Sequence, residues 1–263
     1  MDQPLSRIEG STGARRHFRY FDYVMAAFVA ILLLSNLIGA AKQAQVVLPV
    51  FGAVTFGAGV LFFPVSYIIG DIMTEVYGYA NARRCVWMGF FALLFMAFMS
   101  YVVVNMPPAP GWALASGDYH ILGQVVRAPN QAAYESVFGS TWRIVAASLI
   151  AFWSGEFVNS FILSKMKILT DGKHLWSRTI GSTIFGEAVD SALFYPIAFL
   201  GQPGFTLKGI LLLSLTQWLI KTAWEVVLTP LTYAVVGWLK AREGVDVFDT
   251  DIEFSPFAKT DAG

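Results

Sequence analysis

Five ionisable side chains stand inside runs that are otherwise apolar enough to be membrane spans: Glu156, Glu187, Asp190, Lys221 and Glu225. A charge at mid-bilayer is disfavoured by at least about 2.5 kcal/mol, so groups kept there mark a polar cavity or pathway. Glu156, Asn159 and Ser160 are spaced i, i+3, i+4 and share a helical face, with Trp153 one turn earlier. Thr183, Glu187, Asp190, Ser191 and Phe194 form a second stripe, and Gln217, Lys221 and Glu225 step by four along a third. At 1.5 Å per residue, Glu156, Glu187 and Lys221 each fall roughly 12–20 Å from the entry edge of their run, near the bilayer midplane. The expectation is one shared polar site inside a helical bundle.

Two carboxylates three residues apart, Glu187 and Asp190, repel in a low dielectric. One of them then holds a proton or meets a cation, which points to a ligand or proton role. Lys221 and Glu225 can satisfy each other at i, i+4, and a structural ion-pair network that fixes helix register is the competing reading. Four carboxylates against one lysine favour a ligand rich in N–H donors or a coupling cation. A carboxylate accepts two parallel N–H bonds, the edge that a guanine-like ring presents, and Asn159 or Gln217 can serve the carbonyl beside it. Trp153, Phe157, Phe194 and Trp224 are available to stack on a flat ring, although packing is the commoner use of such side chains. Tyr67, Asp71, Thr74 and Glu75 share a further face, where the bland alternative is an interfacial helix end paired to Arg83 and Arg84. Ser35–Asn36 is a weaker polar feature, compatible with an interhelical hydrogen bond.

The composition demands a membrane around these residues. The 263-residue chain is 56% hydrophobic and 14% charged, with mean hydropathy +0.58. A soluble domain carries about 25% charged residues. Net charge is zero, so no global field points to nucleic acid. A single cysteine, Cys85, excludes an internal disulfide and a multi-cysteine metal site. His17, His120 and His174 lie outside the apolar runs, which argues against haem ligation or a histidine relay in the membrane, and no cofactor is expected. A cleavable signal peptide does not fit the first run, which is long enough to span and lacks a clear small-residue cleavage site.

Six runs can cross about 30 Å of hydrocarbon: Phe21–Ala40, Val50–Gly70, Cys85–Met106, Ile144–Leu163, Thr179–Leu200 and Ile210–Leu239. The second, flanked by Pro49 and interrupted by Pro64 and several glycines, reads as broken or kinked. The third has no charge from Val86 to Met106 and is expected to face lipid, and Pro230 is expected to bend the sixth. With the N-terminus inside, 13 of the 18 Lys and Arg residues fall on cytoplasmic segments and four outside, leaving Lys221 in the membrane. The fold expectation is therefore an all-α integral membrane protein of six transmembrane helices, both termini cytoplasmic. Residues 1–19 and 241–263 are expected to be loose cytoplasmic tails around a 20–240 transmembrane domain. The outer connection Pro107–Trp142 is the longest, and Asn130–Phe138 reads as a short surface helix.

In context these stripes resemble the queuosine-precursor transporter family, also called the vitamin uptake transporter family. The resemblance is carried by Ser35–Asn36 with Lys42, the run from Pro64 through Tyr67, Asp71, Glu75 and Gly78, and Arg83–Arg84. Further on it is carried by Val137–Gly139, Ser154–Ser160, Leu163–Lys167, Trp176–Arg178, Ser182–Thr183, Gly186–Ser191, Lys221, Trp224–Glu225 and Thr229–Pro230. It spans about Ser35 to Tyr233 and departs at Trp142, where the family commonly has a proline. The resemblance implies uptake of 7-deazaguanine bases, the 7-cyano and 7-aminomethyl forms, for making the modified tRNA base queuosine, across a bacterial inner membrane. The partners it implies are that small molecule and the lipid bilayer, with no nucleic acid; a homo-oligomer is compatible with the sequence.

The leading reading is a secondary transporter, coupled to protons through Glu187 or Asp190. The candidate binding set is Asn36, Tyr67, Asp71, Trp153, Glu156, Asn159, Glu187, Asp190, Gln217, Lys221 and Glu225. The chain has no G-x-x-x-x-G-K-[ST] loop, so the alternative that borrows energy from ATP is a substrate-binding subunit of an energy-coupling-factor importer with partner ATPases. An intramembrane enzyme is disfavoured. Ile68 breaks a Gly-x-Gly-Asp signature before Asp71, and neither H-E-x-x-H nor G-x-S-x-G occurs.

Overall fold

The computed structural model describes residues 6–9, 18–39, 43–48, 52–121, 123–139, 142–202, 204–250 and 252–258. Lys42 and Pro49 lie outside them. The element order is β1 (Ser6–Glu9), α1 (Phe21–Leu34) running into a π turn (Ser35–Gly39), β2 (Gln43–Leu48), β3 (Gly52–Gly57), a 3₁₀ turn (Ala58–Leu61), α2 (Phe63–Tyr77) and α3 (Tyr79–Val104). Then come α4 (Pro110–Ala113), β4 (Ser116–Ile121), β5 (Gln124–Pro129), α5 (Asn130–Phe138), α6 (Trp142–Leu169), α7 (Leu175–Phe199), α8 (Leu207–Glu243) and β6 (Val245–Phe248).

The molecule is mostly helical, and among the described residues four stretches are long and apolar enough to cross a membrane: Phe21–Ile38, Tyr79–Val104, Asn130–Leu169 and Leu207–Glu243. The 25-residue α7 has the length but carries the polar stripe, and α2 has only 15 residues. The run expected as one span over Val50–Gly70 is not one helix. β2 and β3 pair there as an antiparallel hairpin, with Gln43 opposite Gly57, and α2 begins only at Phe63, with Pro64 in its first turn. Proline fits there because the first-turn N–H groups have no helical acceptor. The displaced start carries α2 on to Tyr77, so Asp71 and Glu75 lie within the helix.

Charge and polarity decide which helix goes to the centre. α2 carries Ser66, Tyr67, Asp71, Thr74 and Glu75, and all five are buried. It touches α1, α3, α6, α7 and α8, so its polar groups meet protein rather than lipid. The third run behaves as expected: α3 turns Met88, Phe91, Leu94, Phe95 and Phe98 outward as a large apolar face. α7 lies along α6, and two glycines let them close up. A β-carbon on Gly186 would stand 2.7 Å from Asn159 Cβ, and one on Gly155 would collide with the Tyr67 hydroxyl. α8, about 55 Å long at 1.5 Å per residue, keeps Pro230 inside the helix.

The all-α expectation needs three small additions. Besides the β2–β3 hairpin, β4 and β5 form an antiparallel hairpin within the Pro107–Trp142 connection, where α5 occupies the expected Asn130–Phe138. The third ladder ties down a described part of each expected tail. β6 runs parallel to β1, with Ser6 opposite Val245 and Glu9 opposite Phe248. Beyond it, Arg83 Nη1 donates to the carbonyls of Glu253 and Ser255, both at 3.0 Å, and Trp87 Nε1 donates to the Pro256 carbonyl at 3.0 Å. The residues just before α1 are also held: the backbone N–H groups of Arg19 and Tyr20 donate to the Glu243 carboxylate at 3.0 and 2.8 Å.

Candidate functional site

Two buried charge clusters lie along the bundle, and they differ in how far their polar atoms are satisfied. The first sits halfway along the helices. α2 brings Phe63, Tyr67 and Asp71; α6 brings Trp153, Glu156, Asn159 and Ser160; α7 brings Thr183, Glu187, Asp190 and Ser191; α8 brings Gln217, Lys221 and Glu225. The i, i+3, i+4 spacing places each set on one face of its helix. Asp190, Glu187, Glu156 and Asp71 all act electrostatically on the Tyr67 hydroxyl, and Glu225 and Glu156 act on Asp71, so the four helices contribute to one site.

Lys221 settles part of it. Its Nζ donates to Asp190 Oδ2 at 2.5 Å and lies 2.8 Å from Glu187 Oε2, an ion pair without hydrogen-bond alignment. The same ammonium stands 4.3 Å from the centroid of the Phe63 ring. The competing reading of a Lys221–Glu225 pair within one helix is not what forms. Lysine reaches across to α7, where two carboxylates three residues apart need a shared cation, and Glu225 is left without a partner. Asn159 Nδ2 donates to Asp71 Oδ1 at 2.6 Å. The rest of the site is unpaired: both oxygens of Glu156 and of Glu225, Asp71 Oδ2, Asn159 Oδ1, Trp153 Nε1, and the hydroxyls of Tyr67, Ser160, Thr183 and Ser191 are buried without a hydrogen-bond partner in the protein. An unsatisfied buried polar group is disfavoured by about 1–3 kcal/mol, so a concentration of them in one place is a feature of a binding site. Both acceptors and donors are present, in a setting that excludes bulk water.

Glu156 is held at this site by close packing. A β-carbon at Gly70 would stand 2.8 Å from Glu156 Oε2, so α2 presents bare backbone where the carboxylate rests. Gly70, Gly155 and Phe63 carry no signal of a site role in sequence spacing; only helix pairing reveals it.

The other expected members are placed as follows. Gln217 is buried on the Lys221 face of α8. Asn36 is not brought to the carboxylates: it accepts from Ser148 Oγ at 2.9 Å and lines a separate small cavity of about 70 Å³ with Ser100 and Phe138. Trp153 and Phe194, expected as stacking partners, instead meet other aromatic rings edge-on or tilted. Trp153 is 5.0 Å from Phe157, 5.8 Å from Trp87 and 5.6 Å from Phe257, while Phe194 packs on Tyr195 and Phe199.

The second cluster closes the end of the bundle that carries the chain termini. Glu75 receives Arg178 Nε at 2.8 Å and Nη2 at 2.7 Å, a two-point contact, and Lys240 Nζ at 2.6 Å. Lys167 lies 3.5 Å from Glu75 and donates to Asp246 Oδ1 at 2.7 Å and to the carbonyls of Glu75 and Val247 at 2.7 and 2.6 Å. The pairing expected with Arg83 and Arg84 is corrected: Arg83 holds the chain after β6, and Arg84 makes one long bond, 3.4 Å, to Asn81. Asp249 caps the first turn of α3 through Tyr79 N–H and accepts from Ser164 at 2.6 Å. Burial pushes its carboxyl up despite those bonds. Burial also acts to raise Asp246, but Lys167 and Lys240 outweigh it and hold that carboxyl below its ordinary range. Among the described residues, no group of histidines, cysteines and carboxylates is arranged to hold a metal ion.

A helical membrane bundle with a buried, partly unpaired acidic site is a form suited to moving a polar solute. Residues 57–235 match the family described as "Putative vitamin uptake transporter", and the chain belongs to that family, one of transporters rather than enzymes. It is similar to the "Probable queuosine precursor transporter" of Bacillus subtilis (strain 168), at 29% identity over 177 residues, covering 67% of this chain and 69% of the relative. It is also similar to a protein of the same description from Haemophilus influenzae, at 22% identity over 142 residues, spanning 54% of this chain and about half (51%) of that relative. No solved structure matches.

Proposed function

We propose that this chain imports 7-deazaguanine precursors of queuosine, the 7-cyano and 7-aminomethyl bases, across a bacterial inner membrane through the mid-helix acidic site. The observation that carries the reading is the set of wholly buried, unpartnered carboxylate oxygens on Glu156 and Glu225, flanked by unpartnered donors on Tyr67, Trp153, Ser160 and Thr183. A 7-deazaguanine ring offers parallel N–H donors at one edge and a carbonyl beside them. Glu156 accepts that edge, and a hydroxyl or the Trp153 N–H serves the carbonyl. The names of the two relatives support this solute.

Four of the acidic side chains divide by partner. Lys221 holds Glu187 and Asp190, a shared-cation arrangement suited to taking up and releasing a proton during transport. Glu156 and Glu225 face the ligand. Six crossings with both termini cytoplasmic suit the distribution of Lys and Arg, with α2 and the β2–β3 hairpin together acting as the broken second crossing and α7 shielded by α6 and α8. The site is wholly enclosed, so loading requires the helices to part, as alternating access supplies.

The test is binding followed by uptake. The 7-cyano base, but not adenine, raises the melting temperature of the purified chain. Labelled base then accumulates in cells that make this chain and lack energy-coupling-factor ATPases. Binding without accumulation in such cells shifts the reading to a substrate-binding subunit that needs partner ATPases; no binding of the base overturns the solute assignment.

A further inference from the structure

A second site lies where the lipid-facing side of α3 meets its cationic end. Met25 of α1, Arg83, Arg84, Trp87 and Met88 of α3, and Pro256, Phe257 and Ala258 enclose a groove of about 570 Å³. One wall is fixed: Arg83 and Trp87 pin the chain at Glu253, Ser255 and Pro256 through three hydrogen bonds. Phe257 is then held out at 71% exposure, although its ring also touches Trp87 at 5.8 Å and Trp153 at 5.6 Å.

The groove is chemically two-faced. At its polar end Arg84 is exposed, and among the described residues its guanidinium makes one 3.4 Å bond to Asn81 and a contact 5.6 Å from the Phe21 ring. A guanidinium has five N–H donors in a planar fork matched to phosphate oxygens. At its apolar end Met88 is 52% exposed and leads directly onto the outward row Phe91, Phe95 and Phe98. Among the described residues, no carboxylate lines the groove.

The geometry points to an anionic phospholipid docked in this groove, its phosphate on Arg84 and an acyl chain lying along Met88, Phe91 and Phe95. A free phosphate satisfies only the arginine and leaves the apolar wall unexplained; a zwitterionic lipid brings a phosphate whose charge its own ammonium already balances, so only a net-anionic headgroup leaves that charge to the guanidinium. Charge complementarity and continuity with the lipid-facing surface both select the anionic lipid. The docked lipid then braces the Glu253–Ala258 segment against α3, at the same end of the bundle as the Glu75 cluster.

The test uses the full chain purified in neutral detergent, melted with added phosphatidylglycerol, phosphatidylcholine, inorganic phosphate or glycerol phosphate. Phosphatidylglycerol raises the melting temperature by about 5 °C near saturation, and the other three give little shift. Arg84→Gln removes the phosphatidylglycerol-specific shift while keeping the melting temperature in detergent alone, because Arg84 is exposed; Arg84→Lys keeps part of the shift. Phe257→Ala reduces it. An equal shift with phosphatidylcholine, a full shift with inorganic phosphate or glycerol phosphate, or a phosphatidylglycerol-specific shift that survives Arg84→Gln overturns the proposal.

Discussion

Glu75 and Glu156 are both glutamates buried to zero exposure in the same bundle, yet they live in opposite circumstances. Glu75 is surrounded by Arg178, Lys240 and Lys167, and both its oxygens are bonded. Glu156 has none of this: neither oxygen has a hydrogen-bond partner among the described residues, and it rests where Gly70 has no β-carbon. A buried charge with a full set of partners holds structure together, and removing one partner is strongly unfavourable. A buried polar group left unpaired weakens the fold and is retained where something else uses it. The contrast separates a structural clamp at one end of the molecule from a functional site at its middle.

The comparison is most sharply broken by removing a cation from the clamp. Arg178→Gln leaves Glu75 short of its two-point partner and lowers stability by about 3–5 kcal/mol, read as a large drop in melting temperature and in the yield of folded protein. Lys221→Met strips the cation from Glu187 and Asp190 and has an effect of similar size. Adding Glu187→Gln and Asp190→Asn to Lys221→Met recovers much of that loss, because the uncompensated charges are gone. Full stability in Lys221→Met alone would place the lysine outside the network.

Gly70→Ala is the next step down. The added methyl meets Glu156 Oε2 at 2.8 Å and forces the carboxylate aside, lowering uptake roughly tenfold or more for a loss of about 1.4 kcal/mol in binding, with a smaller change in melting temperature. Asp246→Asn sits at the mild end, because Asp246 is only partly buried. Its folded carboxyl titrates below its unfolded one. Its stabilising contribution is therefore present above the ordinary carboxylate range and is lost as pH falls through the folded value. Melting temperatures of the native chain and Asp246→Asn differ at neutral pH and converge in strong acid.

Much of the middle site could be read from spacing alone, because helical periodicity turns i, i+3, i+4 into a shared face whatever lies opposite. That is why Glu156, Asn159 and Ser160 were legible on α6, and Glu187 and Asp190 on α7. Partners across helices were not, because they depend on rotation and depth. By spacing Lys221 could pair with Glu225 on its own helix, and it instead reaches α7. Asn36 looked like a site residue and bonds Ser148 elsewhere. The second crossing, expected over Val50–Gly70 as broken or kinked, is indeed broken, but where was not legible: β3, the 3₁₀ turn and the first half of α2 together carry enough apolar residues for one span, and composition does not show where a strand hands over to a helix. The clamp was missed because its members, Glu75, Lys167, Arg178, Lys240 and Asp246, lie on five separate elements, and only the packing of β6 against α2, α6 and α8 brings the last of them in.

The most direct measurement pairs two isosteric changes, Glu75→Gln and Glu156→Gln, each scored for melting temperature and for uptake of the 7-cyano base. Glu75→Gln is expected to melt far below the native chain. Glu156→Gln, which removes an unpaired buried carboxylate, is expected to melt at or above the native temperature while uptake falls by about ten- to a hundredfold, the loss of one charge-assisted hydrogen-bond contact. If Glu156→Gln transports normally, or unfolds as readily as Glu75→Gln, the division between clamp and site is wrong.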